Sequence, residues 1–323
     1  MRIVLSVLLL FFIRQTTAQH LMVFEGKAQG TYYIVKCIAA DTTSMQTAID
    51  SIFSAIDQSL SLYTPGSLIN RFNAGDQVQM DAHMQAVITK SLWISKVTKG
   101  AFDVTVKPLV DVWGFGVKRP AKQVVPSADT LRKILQHVGY QYLQVKGNRL
   151  IKKRTGVEID CNGIAQGYTS DVIARFLEQR GILNYLVDVG GELCGKGYNQ
   201  HHKTWTVGIE RPDNYPETMI QLSDKAITTS GNYRRFFDEG GTRFAHTIDP
   251  VGGQALHSNI ISVTVVAKDA ITADGFDNAL ILMGVDKAMA FIKQHPAYGL
   301  EAYFIYKAAD GVIKEQFSPG FLQ

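Results

Sequence analysis

The chain has 323 residues, 46% of them apolar and 19% charged, with 28 glycines and 9 prolines. These values exclude disordered, collagen-like and low-complexity classes and leave ample material for a packed core in one large domain or two ordinary ones. The formal charge of +4 at pH 7 is small and scattered, which argues against nucleic acid as a partner.

Met1 and Arg2 precede a largely apolar run from Ile3 to Ile13, followed by Gln15, Thr16, Thr17 and Ala18. This pattern predicts a secretory signal peptide over residues 1–19, with one domain over 20–323. The run is too short to cross a hydrocarbon core of about 30 Å as a helix, and no later stretch approaches the roughly 18 apolar residues needed. Export without a permanent membrane span is expected, to the periplasm or the outer face of the cytoplasmic membrane. The first cysteine after the run is Cys37, so a cysteine-acylated anchor is not supported. Cys37, Cys161 and Cys194 permit at most one internal disulfide, which excludes a disulfide framework. The adjacent His201 and His202 lie in a polar stretch and read as a solvated loop rather than a zinc site.

Strand-like runs are predicted at 32–38, 142–146, 150–153, 183–189, 205–210 and 260–267, from β-branched content and flanking turn residues such as Gly147 and Asn148. Apolar residues at helical spacing predict amphipathic helices over 44–60, with Thr42, Thr43 or Ser44 as caps, and over 82–98, ending near Gly100. A third is predicted after Pro126, capped by Ser127 and ending at Gly139. Helices fall in blocks rather than alternating with strands. That order favours an α+β layered fold with largely antiparallel sheet and flanking helices.

Five segments concentrate Gly, Asp and aromatic residues. The first runs from Gly100 through Ala101, Phe102 and Asp103 to Trp113-Gly114-Phe115-Gly116, and taken alone reads as core aromatics around a glycine turn. In the second, Asp160, Asn162, Gly163 and Gly167 enter a helix with Ile164, Tyr168, Val172, Phe176 and Leu177 on its apolar face. Glycines at a helix start admit close backbone approach, and the unpaired N–H groups there attract phosphate. The third, Val187 to Glu192, is a strand entering a Gly-Gly turn. The fourth couples Thr228, Thr229 and Ser230 with His246, Thr247, Ile248, Asp249 and Pro250. His246 can move a proton near neutrality, while Asp249 before Pro250 is equally a turn signal. In the fifth, Asp274, Asp277 and Asn278 stand at i, i+3 and i+4 of a helical segment, on one face. Two carboxylates so placed repel, and a hard cation such as Mg²⁺ or Ca²⁺ turns that repulsion into attraction.

Together the segments resemble the FAD:protein FMN transferase family, the ApbE type, from about Gly26 to Gly284 and in the family's order. The resembling pieces are Gln29-Gly30-Thr31, Ser61-Leu62-Tyr63 through Ser67 to Asn73, the Gly-Ala-Phe-Asp segment ending in Trp-Gly-Phe-Gly, and Asp160 through Gly163-Ile164-Ala165-Gln166-Gly167-Tyr168. They continue with Val189-Gly190-Gly191-Glu192, Thr229-Ser230-Gly231-Asn232-Tyr233, His246 through Asp249-Pro250, and Ala273-Asp274. The resemblance implies an α+β ApbE-like fold and transfer of FMN from FAD to a Thr or Ser of a partner flavoprotein, with release of AMP and a requirement for Mg²⁺. Such partners include subunits of membrane redox complexes, a quinone reductase among them. It further implies that Gln29, Tyr63, Ala101, Phe102, Asp103, Asp160, Gln166 and Ile248 line the FAD site. The metal would be held by the backbone oxygen of Gly163 with Asp274, Asp277 and Asn278. The family often has Thr where Asn278 stands, and an amide oxygen can replace that ligand. It often has Lys where Gln166 stands, and Gln can hydrogen-bond phosphate without neutralising it. His246 is expected to take the proton of the incoming hydroxyl, oriented by Asp249. Water in place of that hydroxyl would make the same site an FAD pyrophosphatase, and a site without turnover would make the chain an exported flavin carrier.

Overall fold

The computed structural model describes residues 19–118, 120, 123–209, 218–231 and 236–322. The expected leader therefore lies outside the described residues, apart from Gln19. In chain order the first elements are β1 (His20–Ala28), β2 (Thr31–Ala39), α1 (Met45–Leu60), α2 (Leu68–Ala74), β3 (Gln77–Gln79), α3 (Ala82–Val97), α4 (Lys107–Val112) and α5 (Ala128–Leu135). Next come β4 (Leu143–Lys146), β5 (Arg149–Lys152), α6 (Ala165–Gln179), β6 (Tyr185–Val189), β7 (Glu192–Lys196), β8 (Trp205–Ile209), β9 (Thr218–Leu222) and β10 (Lys225–Gly231). The chain closes with β11 (Phe236–Glu239), β12 (Thr242–Ala245), β13 (Ile260–Ala267), α7 (Ala270–Met283), α8 (Val285–Gln294), β14 (Glu301–Lys307) and β15 (Ile313–Phe317).

The central sheet has eight strands in the order β1-β2-β6-β7-β10-β13-β14-β15, and its pairings are antiparallel. Strand β13 shows why the sheet needs cover on both faces. Its residues Val263, Val265 and Ala267 enter the large core with α3, α7 and α8, while Val266 packs on the other side with Trp205, Ile220 and Leu222 of the β8–β9 hairpin. Alternate side chains of a strand point to opposite faces, so a strand buried on both sides reads as a continuous apolar run. A second core joins α1 and α6 to β2 and β6 through Ile49, Phe53, Ile173, Leu177, Val35 and Val187. The expected α+β, largely antiparallel architecture is the one observed.

Local differences have local causes. The helix expected to reach Gly139 stops at Leu135, because the next turn tightens: His137 N–H donates to Ile134 and Val138 N–H to Leu135. Ser44 precedes α1 in the left-handed region, with φ 62°, and its side chain makes no capping bond there. All three cysteines are free and buried. Among the described residues no helix is long and apolar enough to cross a membrane.

Candidate active site

Helices α6 and α7 meet almost backbone to backbone. A Cβ on Gly167 would lie 2.3 Å from the Ala270 carbonyl oxygen and 2.7 Å from Cβ of Asp274. Real Cβ atoms do not approach so closely, so only glycine permits this crossing. The start of α7 is satisfied twice over. Asp269 caps it, accepting from Thr272 N–H at 3.0 Å, and Asp171 of α6 accepts from the amides of Ala270 and Ile271 at 2.8 and 2.9 Å. Carboxylates at this end complement the helix dipole and clamp α6 to α7.

That clamp positions the acidic face of α7. Asp274 Oδ2 accepts from Gly167 N–H at 2.8 Å, and Asp277 Oδ2 accepts from the Thr228 hydroxyl of β10 at 3.1 Å. The other oxygen of Asp277 is buried without a hydrogen-bond partner, and so is Oε2 of Glu192. Burial pushes all three carboxyls up from the usual range. For Glu192 the charges of Asp274 and Asp277 add to it, and for Asp277 that of Asp274. Asn278 lies against the backbone of Gly163, where a Cβ would come within 3.1 Å of its side-chain nitrogen. Among the described residues no three His, Cys, Asp or Glu side chains have metal-holding geometry. The donor set on offer is therefore two carboxylates with neutral oxygens of Asn278 and Gly163. Buried, mutually repelling carboxyls with an orphaned oxygen fit a hard divalent cation.

These groups form one end of a cleft of about 660 Å³. The start of α6 lies beside it, where Ile164 at the N-cap offers no capping side chain and Asp274 takes the Gly167 amide instead. On the same floor the β6–β7 hairpin turns through Gly190 and Gly191, both at positive φ (68° and 105°), with Val189 opposite Glu192. Two-residue turns of this hand demand left-handed backbone at both positions, which glycine supplies without strain. Phe115 lines the cleft, and an aromatic cluster lies behind it. Trp113 is fully buried, donates its indole N–H to Gly253 O at 2.8 Å and makes tilted ring contacts with Phe244 and Phe237. Phe115 bridges from Phe237 to the ring of His246, edge-on at 6.4 Å.

The ApbE family model matches residues 29–304. The chain belongs to the ApbE family. It is 35% identical over 308 residues to the FAD:protein FMN transferase of Vibrio cholerae, covering 92% of this chain and 90% of that one. The solved flavin transferase ApbE from Vibrio cholerae superposes with a TM-score of 0.85 at 34% identity, covering 94% of this chain and 98% of the other. The apo flavinyl transferase ApbE of Pseudomonas stutzeri gives 0.86 at 30% identity, covering 94% and 96%.

Of the ApbE-type residues expected from sequence, the cleft brings together Gln29, Ala101, Phe102, Asp103, Asp160, Gly163, Gln166, His246, Ile248, Asp274, Asp277 and Asn278. Gln29, at φ 52°, donates to the Thr169 hydroxyl at 3.0 Å. Ala101 and Phe102 are delivered by the turn that ends α3, where Gly100 has φ 87° and its N–H reaches back to Ser95 O. Asp103 has a scaffolding use. Its Oδ1 accepts from the N–H and hydroxyl of Thr105 and its Oδ2 from Tyr140 N–H at 2.6 Å, tying the α3 exit to the loop before β4. Asp160 is only 8% exposed, accepts from Asn162 N–H at 2.7 Å, and is pushed up to about 6 by burial.

Tyr63 is 59% exposed and is not among the residues lining the cleft. One expectation is corrected. Asp249 does not orient His246: its oxygens accept from the amides of Val251 (2.9 Å) and Gly252 (3.0 Å), so the turn reading of Asp-Pro prevails. Two contributors to the site escape the sequence reading. There Glu192 is only the end of a Gly-Gly turn, and Thr228 only part of a hydroxyl cluster. An acid placed directly after a two-glycine turn is the signal for the first.

Proposed function

We propose that this chain transfers the FMN half of FAD to a Thr or Ser hydroxyl of an acceptor flavoprotein, releasing AMP. Named relatives over nine-tenths of the chain support the reading. The observation that carries it is the orphaned carboxylate oxygen of Asp277, buried beside Asp274 and Asn278 in a cleft that also holds the start of α6. In the transfer, the acceptor oxygen bonds to the FMN phosphorus, the bond from that phosphorus to the bridging oxygen breaks, and AMP leaves with that oxygen. The hydroxyl proton passes to His246, which lines the cleft.

Asp274, Asp277, Asn278 and the Gly163 carbonyl would hold Mg²⁺. Bound there, it would supply charge neutralisation for the diphosphate and the departing AMP. The chain's own residues do the remainder. The start of α6 favours a phosphate oxygen through its dipole, Gln166 there offers hydrogen bonds without charge, and Phe102 and Phe115 keep water from the reacting phosphorus. Export by the 1–19 leader would place the reaction at the outer face of the cytoplasmic membrane, where the flavin subunit of a quinone reductase is a suitable acceptor.

The test mixes the purified chain, FAD and Mg²⁺ with such a subunit and reads FMN attachment to a threonine by mass spectrometry, with Asp274→Ala as control. Equal labelling by that variant, or none by the parent, would overturn the proposal. Replacing His246 by Ala should slow transfer by about 10²–10⁴ with FAD affinity retained, the usual worth of a general base.

A further inference from the structure

A second concavity, of about 490 Å³, adjoins the cleft and shares Ala101 and Leu282 with it. One short stretch forms the partition. Ile248 and Pro250 line the cleft, while Asp249 and Val251 line the second groove. The turn that holds Asp249 thus has a use of its own: its bonds to Val251 and Gly252 fix the rim between the two spaces. His246 lies on the cleft side, two residues before the partition begins.

The groove is apolar along Phe244, Val251, Leu256 and Met283, and Val251 is 66% exposed at its edge. Lys99 stands beside them, exposed, and forms no ion pair among the described residues. Its backbone is held at φ 55° by the turn that delivers Ala101 and Phe102 to the cleft. Resting on the transfer reading above, we infer that this groove seats the acceptor protein, as an extended segment flanking the modified hydroxyl, with apolar side chains along Val251 and Leu256 and a carboxylate towards Lys99. Continuity through Ala101 and Leu282 supports this occupant. A chain lying in the groove has its next residue at the partition, so its hydroxyl enters the cleft beside His246. An exposed valine rim beside the Lys99 ammonium also complements a segment of that composition.

The test uses the full chain and, as probe, the acceptor subunit of the transfer assay with its attachment threonine replaced by alanine. Probe binding is measured without FAD or divalent cation, by fluorescence anisotropy. Val251→Asp and Lys99→Glu should each weaken it about tenfold, the scale of one good interface contact. The dissociation constant for FAD, read by flavin fluorescence, and the melting temperature should stay those of the parent. In transfer assays KM for the acceptor should rise while kcat and KM for FAD hold. Unchanged probe binding in both variants overturns the groove, as does no binding by the parent. Parallel loss of FAD affinity reassigns the groove to the dinucleotide and also overturns it. A change in oligomeric state assigns it to a second copy and overturns it as well. A parent that binds the probe through Val251 and Lys99 yet labels no threonine sinks the transfer reading and leaves the groove standing.

Discussion

The α6–α7 side of the cleft buries carboxyls with open lone pairs, whereas the cluster around Trp113, behind Phe115, buries rings and ties its indole N–H to the Gly253 carbonyl. The first arrangement costs the folded chain stability, because desolvated acids repel and two of their oxygens have nothing to bind. The second contributes stability through apolar burial and a satisfied donor. If the acids hold a cation, as proposed, its binding would relieve that cost, and the aromatic cluster offsets it in the meantime. Function and stability thus sit on two banks, the acidic lining of the cleft and the ring cluster behind Phe115, and substitutions on the two should act in opposite directions.

The largest expected effect is on the acidic bank. Asp277→Asn should lower transfer by about a thousandfold or more, since a bound metal supplies several kcal/mol of charge stabilisation. The same variant should melt higher than the parent in chelator at pH 8. The folded-state pKa of Asp277 is raised, so stability falls as the pH climbs from the ordinary carboxylate range towards that raised value, and an amide removes the penalty. A lower melting point would break the contrast between the banks. On the other bank, Trp113→Ala should cost about 3–5 kcal/mol in urea unfolding, as for a fully buried large aromatic, with metal affinity near that of the parent.

A milder substitution sharpens the comparison. Thr228→Val keeps the shape and removes the hydroxyl that holds Asp277 Oδ2. Metal affinity by calorimetry should fall about 10–100-fold, the usual loss for an orienting partner, and Thr228→Ser should restore it. The smallest effect concerns Asp160, raised to about 6 by burial. The unfolded chain releases this proton near pH 4 and the folded chain only near 6, so stability falls as pH rises through that window and levels off above it. Asp160→Asn should flatten that decline, by about 3 kcal/mol. An unaltered profile in chelator would show that Asp160 ionises as freely in the folded chain as in the unfolded one.

Much of this was legible in the sequence because local periodicity and burial agreed. Residues 45–60, 82–97 and 260–267 follow spacing that only a helix or a doubly covered strand satisfies. The i, i+3, i+4 spacing of Asp274, Asp277 and Asn278 places them on one helix face without any knowledge of tertiary contacts. Long-range arrangements were not legible. Nothing local distinguishes an Asp that closes a turn, as Asp249 does, from one that orients a histidine. Glu192 joins the acidic group only because β7 pairs with β10 and lies under α7. Tyr63 belongs to a motif, residues 61–73, none of which lines the cleft, since a short motif carries no record of which side chains the surrounding fold will cover.

The missing methyl group at Gly167 has a further consequence for the placing of the acids. With no side chain between α6 and α7 to act as a bearing, the tip of one helix and the acids of the other are held at contact distance, joined by the Gly167 N–H to Asp274 bond. A larger residue at 167 would prise the two helices apart and carry Asp274 away from the start of α6.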